Sequence, residues 1–251
     1  MSVDVAILWP ALAAGLLVAA THVPLGVQVL GRGIVFIDLA VAQIAGLGVV
    51  LADWLGFEPQ GAAVQISALA AALGGALVLN WTEKLWPVVL EAVIGVAFVL
   101  AANAAILLLA ANPHGAEHLK DLLVGQILWV DAGRLPWIAV ASALILGAWL
   151  ALGARAGRIG FYVIFACAVT LAVQLVGLYL VFATLIIPAL ATRLLGRARL
   201  TVAYAVAALS YVAGLALSLV SDLPAGPLIV CCMTVLGLAT FLLARPACSG
   251  A

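Results

Sequence analysis

Long apolar runs, each about as long as a membrane crossing, follow one another along almost the whole chain. A helix needs about 20 apolar residues to cross the ~30 Å hydrocarbon core, and in lipid only helices and closed barrels satisfy their own backbone hydrogen bonds. Candidate spans occupy residues 5–29, 34–52, 62–80, 87–111, 136–152, 159–176, 178–195, 200–220 and 226–244. Their apolar residues are contiguous rather than alternating with polar ones, which excludes an outer-membrane barrel. Of the 251 residues, 68% are hydrophobic and 8% charged, against about 25% charged in a soluble domain. A soluble globular domain, a disordered chain and a basic nucleic-acid binder are excluded on the same grounds. The expected fold is all-α, a polytopic transmembrane helix bundle of about 8–9 spans in lipid, forming one domain over residues 1–251. Segment 118–130 (HLKDLLVGQILWV) is too short to span and is expected to be interfacial or re-entrant. Gly177 divides the run Phe161–Thr192, where a broken helix and two full crossings are equally open.

The first basic residue is Arg32. A cleavable signal peptide has a positive region before its apolar core, so the first segment is expected to be a retained span. Cys167, Cys231, Cys232 and Cys248 form no CxxC pair and read as small buried helix residues. The ten basic residues set an orientation. With the N-terminus outside, Arg32, Lys84, Arg155, Arg158, Arg193, Arg197, Arg199 and Arg245 fall on the cytoplasmic side, and only Lys120 and Arg134 lie outside. Asp4, Asp53, Glu58, Glu117, Asp121, Asp131 and Asp222 take the outer side.

An ionisable group inside a bilayer is expensive and is a functional candidate by default. His22, Asp38 and Glu91 qualify, on three different helices. Two carboxylates would balance a divalent cation, and neutral imidazole is a good zinc ligand. Structural alternatives stand beside this: His22 bonded to a carbonyl near Pro24, Asp38 paired with Arg32, Glu91 paired with Lys84. The loop around residues 112–121 adds His114, Glu117, His118 and Asp121, four potential donors that also read as an ordinary solvated loop. Uncharged polar positions include Gln43, Asn103, Gln174 and Thr184, and Thr184, Pro188 and Thr192 line one helical face. Neither lysine stands in a GxxxxGK[ST] loop. Any coupling to ATP must therefore come from another chain.

The chain resembles the membrane-spanning permease of the bacterial zinc/manganese/iron ABC importers. The resemblance rests on PLGVQVLGRGIVFIDLAVAQIAGLGVV (24–50), LEAVIGVAF (90–98), DLLVGQILWV (121–130), VGLYLVFATLIIPALATRLL (176–195) and DLPAGPLIV (222–230), five apolar motifs in the family's order. It implies a multi-pass protein of the bacterial cytoplasmic membrane, working as a homodimer with cytoplasmic ABC ATPase subunits and an extracytoplasmic metal-binding protein. It implies no prosthetic group and no enzymatic step on the cargo, which would be zinc, with manganese or iron as alternatives. A metal site with a carboxylate at Asp38 is implied too. The family's histidine one turn later is Ala42 here; Gln43 lies about 140° away around the helix, and His22 is the candidate replacement. The loop GARAGRIG (153–160) is shorter and more basic than the family's coupling segment, and Arg155, Arg158 and Arg197 are the expected ATPase contacts. Two rivals remain: a proton-coupled secondary transporter using Asp38 or Glu91, and a membrane-embedded enzyme, disfavoured because no two catalytic groups share a helix face at depth.

Overall fold

The structure, a computed structural model, describes residues 5–57, 61–109, 127–152, 157–221 and 223–244. Among the described residues nine α-helices follow one another, with no strand: α1 (Val5–Arg32), α2 (Ile37–Trp54), α3 (Ala62–Leu85), α4 (Leu90–Leu109), α5 (Leu135–Leu152), α6 (Gly157–Val176), α7 (Leu178–Ala191), α8 (Arg199–Ser221) and α9 (Ala225–Ala244). Seven helical segments are long and apolar enough to cross a membrane, while α7 and the apolar stretch Leu90–Ala105 of α4 are shorter. Helix α7, with 14 residues, is only about 21 Å long at 1.5 Å per residue. The run Phe161–Thr192 is therefore one crossing helix and one short helix. The break is Gly177, whose φ of 82° and ψ of 162° lie in a region open essentially to glycine alone. Of segment 118–130, only the end lies among the described residues, as a 3-10 turn at Ile127–Trp129.

The chain divides into two compact units. The first joins Met1–Gly33, Val124–Ser142 and Leu175–Ala251; the second joins Ile34–Leu123 and Ala143–Gln174. In the first unit α1 packs on α7 and α8, and α9 packs on both of those helices. In the second, α2 packs on α3 and α4.

Many large apolar side chains are exposed around an apolar core, unlike the surface of a water-soluble protein, and several polar side chains are buried. His22, Asp38, Thr184, Thr192 and Ser210 have no exposed surface, whereas Ile66, Leu107, Leu144 and Val220 are more than half exposed. Exposed tryptophans gather towards helix ends, as Trp54 on α2, Trp81 and Trp86 at the end of α3, and Trp129 and Trp137 before and in α5. Indoles at those positions suit the boundary between hydrocarbon and headgroups. The cysteines depart from expectation: Cys231 is exposed and Cys167 and Cys232 are half-buried, all three unpaired. Their helix faces turn outward, where a thiol is as acceptable to lipid as a small hydrophobe.

Close helix contacts use glycines as flat spots. In the second unit, a Cβ on Gly48 would stand 2.7 Å from the Ser67 carbonyl oxygen and 2.8 Å from the Ala71 methyl. The Ser67 hydroxyl donates to the Gly48 carbonyl at 2.8 Å, so α2 and α3 are joined by a polar bond where they approach most closely. In the first unit, Gly26 lies against the Leu185 carbonyl, again leaving no room for a side chain. Gly74 on α3 has nothing within 4 Å of that position. We expect Gly26→Val and Gly48→Val each to destabilise the detergent-solubilised protein by about 1–3 kcal/mol or more through overpacking. Gly74→Ala is expected to be neutral or to stabilise by up to about 1 kcal/mol. Thermal unfolding of the three variants checks both expectations.

Candidate functional site

In the second unit two carboxylates sit at the N-terminal end of α2, Asp38 fully buried and Glu91 partly exposed with one buried oxygen. Asp38 is the second residue of that helix, where free backbone N–H groups and the positive end of the helix dipole favour negative charge. It is fully buried, and neither carboxylate oxygen has a hydrogen-bond partner of ordinary geometry. The adjacent N–H groups of Asp38 and Leu39 act on it from nearby without closing such a bond. Glu91 comes from the first turn of α4. Its Oε1 accepts the N–H of Phe36, the residue that caps α2, at 3.4 Å, and its Oε2 is buried without a partner. The structure thus gathers Asp38 and Glu91 around one helix end, with three carboxylate oxygens open to a further positive partner. A buried carboxylate without such a partner is strongly unfavourable. A metal cation or a proton would remove that cost. Gln43, further along α2, is partly buried.

His22 belongs to the first unit and is fully buried in α1. Its Nδ1 lies 3.1 Å from the Val18 carbonyl oxygen and 2.9 Å from the Thr21 hydroxyl, while Nε2 has no partner. A carbonyl along the helix was one of the expected alternatives, but the bond is to Val18, one turn back. Proline at 24 removes the N–H that would bond Ala20, and the hydroxyl of Tyr204 donates to that freed carbonyl at 3.0 Å. The Thr184 hydroxyl donates to Leu180 O at 2.7 Å and shares a 2.9 Å bond with the Tyr211 hydroxyl. Thr192 donates to Pro188 O at 2.7 Å. The expected polar face of α7 is therefore real but internally bonded, and Thr184 ties α7 to α8.

The basic residues differ in what they do. Arg158 at the start of α6 pairs with Glu83 of α3, at 3.8 Å and with the arginine 46% exposed. Exposed pairs of this kind contribute little, ~1 kcal/mol or less. Arg193 lies over the Phe241 ring at 5.2 Å, and Arg199 donates to Ala189 O at 3.3 Å, neutralising a carbonyl at the C-terminal end of α7. Arg197 is exposed in the turn Gly196–Ala198 and makes no ion pair among the described residues. His114, Glu117, His118, Asp121 and Arg155 lie outside the described residues. Within neither unit do the described His, Cys, Asp and Glu side chains form a group of three or more that could hold an ion.

Sequence reasoning missed Glu83, Tyr204 and Tyr211. Pro24 is the one signal for Tyr204, because it announces an unbonded carbonyl at Ala20; which distant hydroxyl reaches it is not written locally.

Comparison with known proteins adds three findings. The ABC 3 transport family matches residues 4–156 and 150–244, in overlapping segments. The high-affinity zinc uptake system membrane protein ZnuB of Haemophilus influenzae is similar, 25% identical over 252 aligned residues that cover 92% of this chain and 95% of that protein. Among solved structures, PsaBC from Streptococcus pneumoniae in complex with Fab has the same fold, with a TM-score of 0.76, 21% identity, and coverage of 94% of this chain and 91% of the matched one.

The Thr184–Tyr211 bond has a measurable consequence. Thr184→Val leaves the Tyr211 hydroxyl buried without its partner, a loss of about 1–3 kcal/mol. Adding Tyr211→Phe is expected to restore part of it, since removing both partners is nearly neutral. A double-mutant cycle on thermal unfolding reads the coupling directly.

Proposed function

The chain belongs to the ABC 3 transport family, and on that premise we propose that it is the membrane permease of an ATP-driven importer carrying a divalent transition-metal ion, zinc foremost, into the cytoplasm. The observation that carries the reading is the end of α2, where fully buried Asp38 has two unpartnered oxygens and Glu91 docks on the cap with a third. Two carboxylates balance a doubly charged ion, and among the described residues neither of them is engaged in a salt bridge. The zinc uptake role in the name of the Haemophilus influenzae relative supports the choice of cargo.

Such a permease supplies the path, and its partners supply selection and energy. Cytoplasmic ATPase subunits, a second copy of the chain and an extracytoplasmic metal-binding protein complete the importer. Of the expected coupling residues that the structure describes, Arg197 is the more available. Arg193 and Arg199 are engaged with their own unit, whereas Arg197 is exposed and makes no ion pair among the described residues. Arg158 is held by Glu83, so a contact with an ATPase would have to compete with that pair.

In vesicles containing the chain, its ATPase and its binding protein, Asp38→Asn is expected to lower zinc uptake by at least 10–100-fold, on the order of what loss of a metal-site residue costs. Glu91→Gln should lower it less, because one of its oxygens also caps α2. Normal membrane insertion of both variants, read by expression and unfolding temperature, must accompany the loss. Wild-type uptake in Asp38→Asn would remove this residue from the path. Uptake that persists without ATPase and follows a proton gradient would turn the assignment to a secondary transporter. Arg197→Glu is expected to abolish ATPase association with unchanged permease stability, and Arg158→Ala to change stability by no more than about 1 kcal/mol.

A further inference from the structure

Gly15, His22 and Gly26 lie along one side of α1, seven and four residues apart and within about 40° of one another around the axis. The two glycines identify what this side meets. Gly15 lies against the ring of Tyr211 on α8, and Gly26 against the carbonyl of Leu185 on α7. Thr184 precedes Leu185 and shares its hydroxyl bond with Tyr211. His22 stands between the two glycines, on the side of α1 that meets α7 and α8, and it has no exposed surface.

The hydrogen bonds of His22 decide which nitrogen is available. Nδ1 is 3.1 Å from the Val18 carbonyl oxygen, and a carbonyl only accepts, so the proton is on Nδ1. The Thr21 hydroxyl donates to the same carbonyl at 3.1 Å and can receive the other part of the Nδ1–H bond at 2.9 Å. Nε2 then presents a bare lone pair with no donor near it. An imidazole oriented by a backbone carbonyl through one nitrogen, with the other left open, is the arrangement that metal-bound histidines use.

We propose that His22 is a cation ligand of the first unit, offering Nε2 from the side of α1 that meets α7 and α8, and that it favours zinc over manganese during passage. This rests on the transport reading and deepens it. Imidazole suits zinc, and manganese is the weakest binder of the first-row divalent ions at nitrogen sites. One neutral nitrogen holds an ion weakly, which suits a station from which the ion must depart.

The test separates a ligand from a packing residue. In His22→Asn the side-chain amide keeps an N–H in the place of Nδ1, so the bond to Val18 survives while the Nε2 lone pair is lost. In vesicles with the ATPase and binding protein, this variant is expected to take up zinc about tenfold more slowly, with manganese uptake changed less than about twofold. Wild-type zinc uptake in His22→Asn, or parallel loss of both metals, overturns the proposal. Wild-type vesicles that move neither metal would instead overturn the transport reading on which it rests. A second measurement does not depend on that variant folding. Zinc X-ray absorption is recorded on the purified chain carrying His114→Ala and His118→Ala together with Asp38→Asn and Glu91→Gln, which removes the carboxylate site, loaded with zinc alone. One imidazole shell is expected, and an oxygen-only shell overturns the assignment.

Discussion

A backbone carbonyl or amide without a partner in hydrocarbon costs several kcal/mol, and the rest of this structure is arranged around that constraint. It makes every described crossing a helix. It also governs what happens where a helix is interrupted, because Pro24 frees the Ala20 carbonyl and Tyr204 comes from another helix to bond it. Polar side chains obey the same rule. Thr82, Ser210, Thr234 and Thr240 each donate to the carbonyl one turn back, at 2.6 to 3.0 Å, and thereby cease to be polar as far as the surroundings are concerned.

Against this closure the groups left open carry information. Among the buried side-chain atoms that find no hydrogen-bond partner in the described residues are both oxygens of Asp38, one oxygen of Glu91 and Nε2 of His22, beside others such as the Thr170 hydroxyl. Each unit has its own chemistry among them. The second unit concentrates negative charge at the start of α2, where the helix dipole already favours it. The first holds a neutral nitrogen donor, oriented by Val18 and Thr21. On the proposed reading, the carboxylates would attract a divalent ion by charge and the imidazole would discriminate among such ions by covalent preference.

The nine expected spans correspond closely to α1–α9, because hydropathy over about 20 residues is a strong local signal. Ends were less legible. Helix α2 begins at Ile37 rather than near 34, since Gly33 takes a φ of 71° and the chain turns there before the helix resumes. The three ionisable residues within the apolar runs are visible from their cost alone, yet the structural alternative for Glu91 is a pair with Lys84, whereas its observed contact is the Phe36 amide. Arg158 drew attention as a loop charge, while Glu83, which holds it, stood unremarked inside an apolar helix. Such pairings depend on which helices become neighbours, and hydropathy carries no term for that.

The sequence by itself determined that this chain is a polytopic membrane helix bundle, where its described helices fall, and which few ionisable residues lie within its apolar runs. Each of these follows from transfer energy summed over local segments, so no long-range contact is needed to know it. Tertiary structure alone decided which of those residues remain unsatisfied. Asp38 is open because no donor from α3 or α4 reaches it; Ala20 is closed because Tyr204, 184 residues away in the chain, does. Whether a buried polar group is a structural bond or a vacant ligand is settled by what stands within about 3 Å of it, and that is a property of packing rather than of composition.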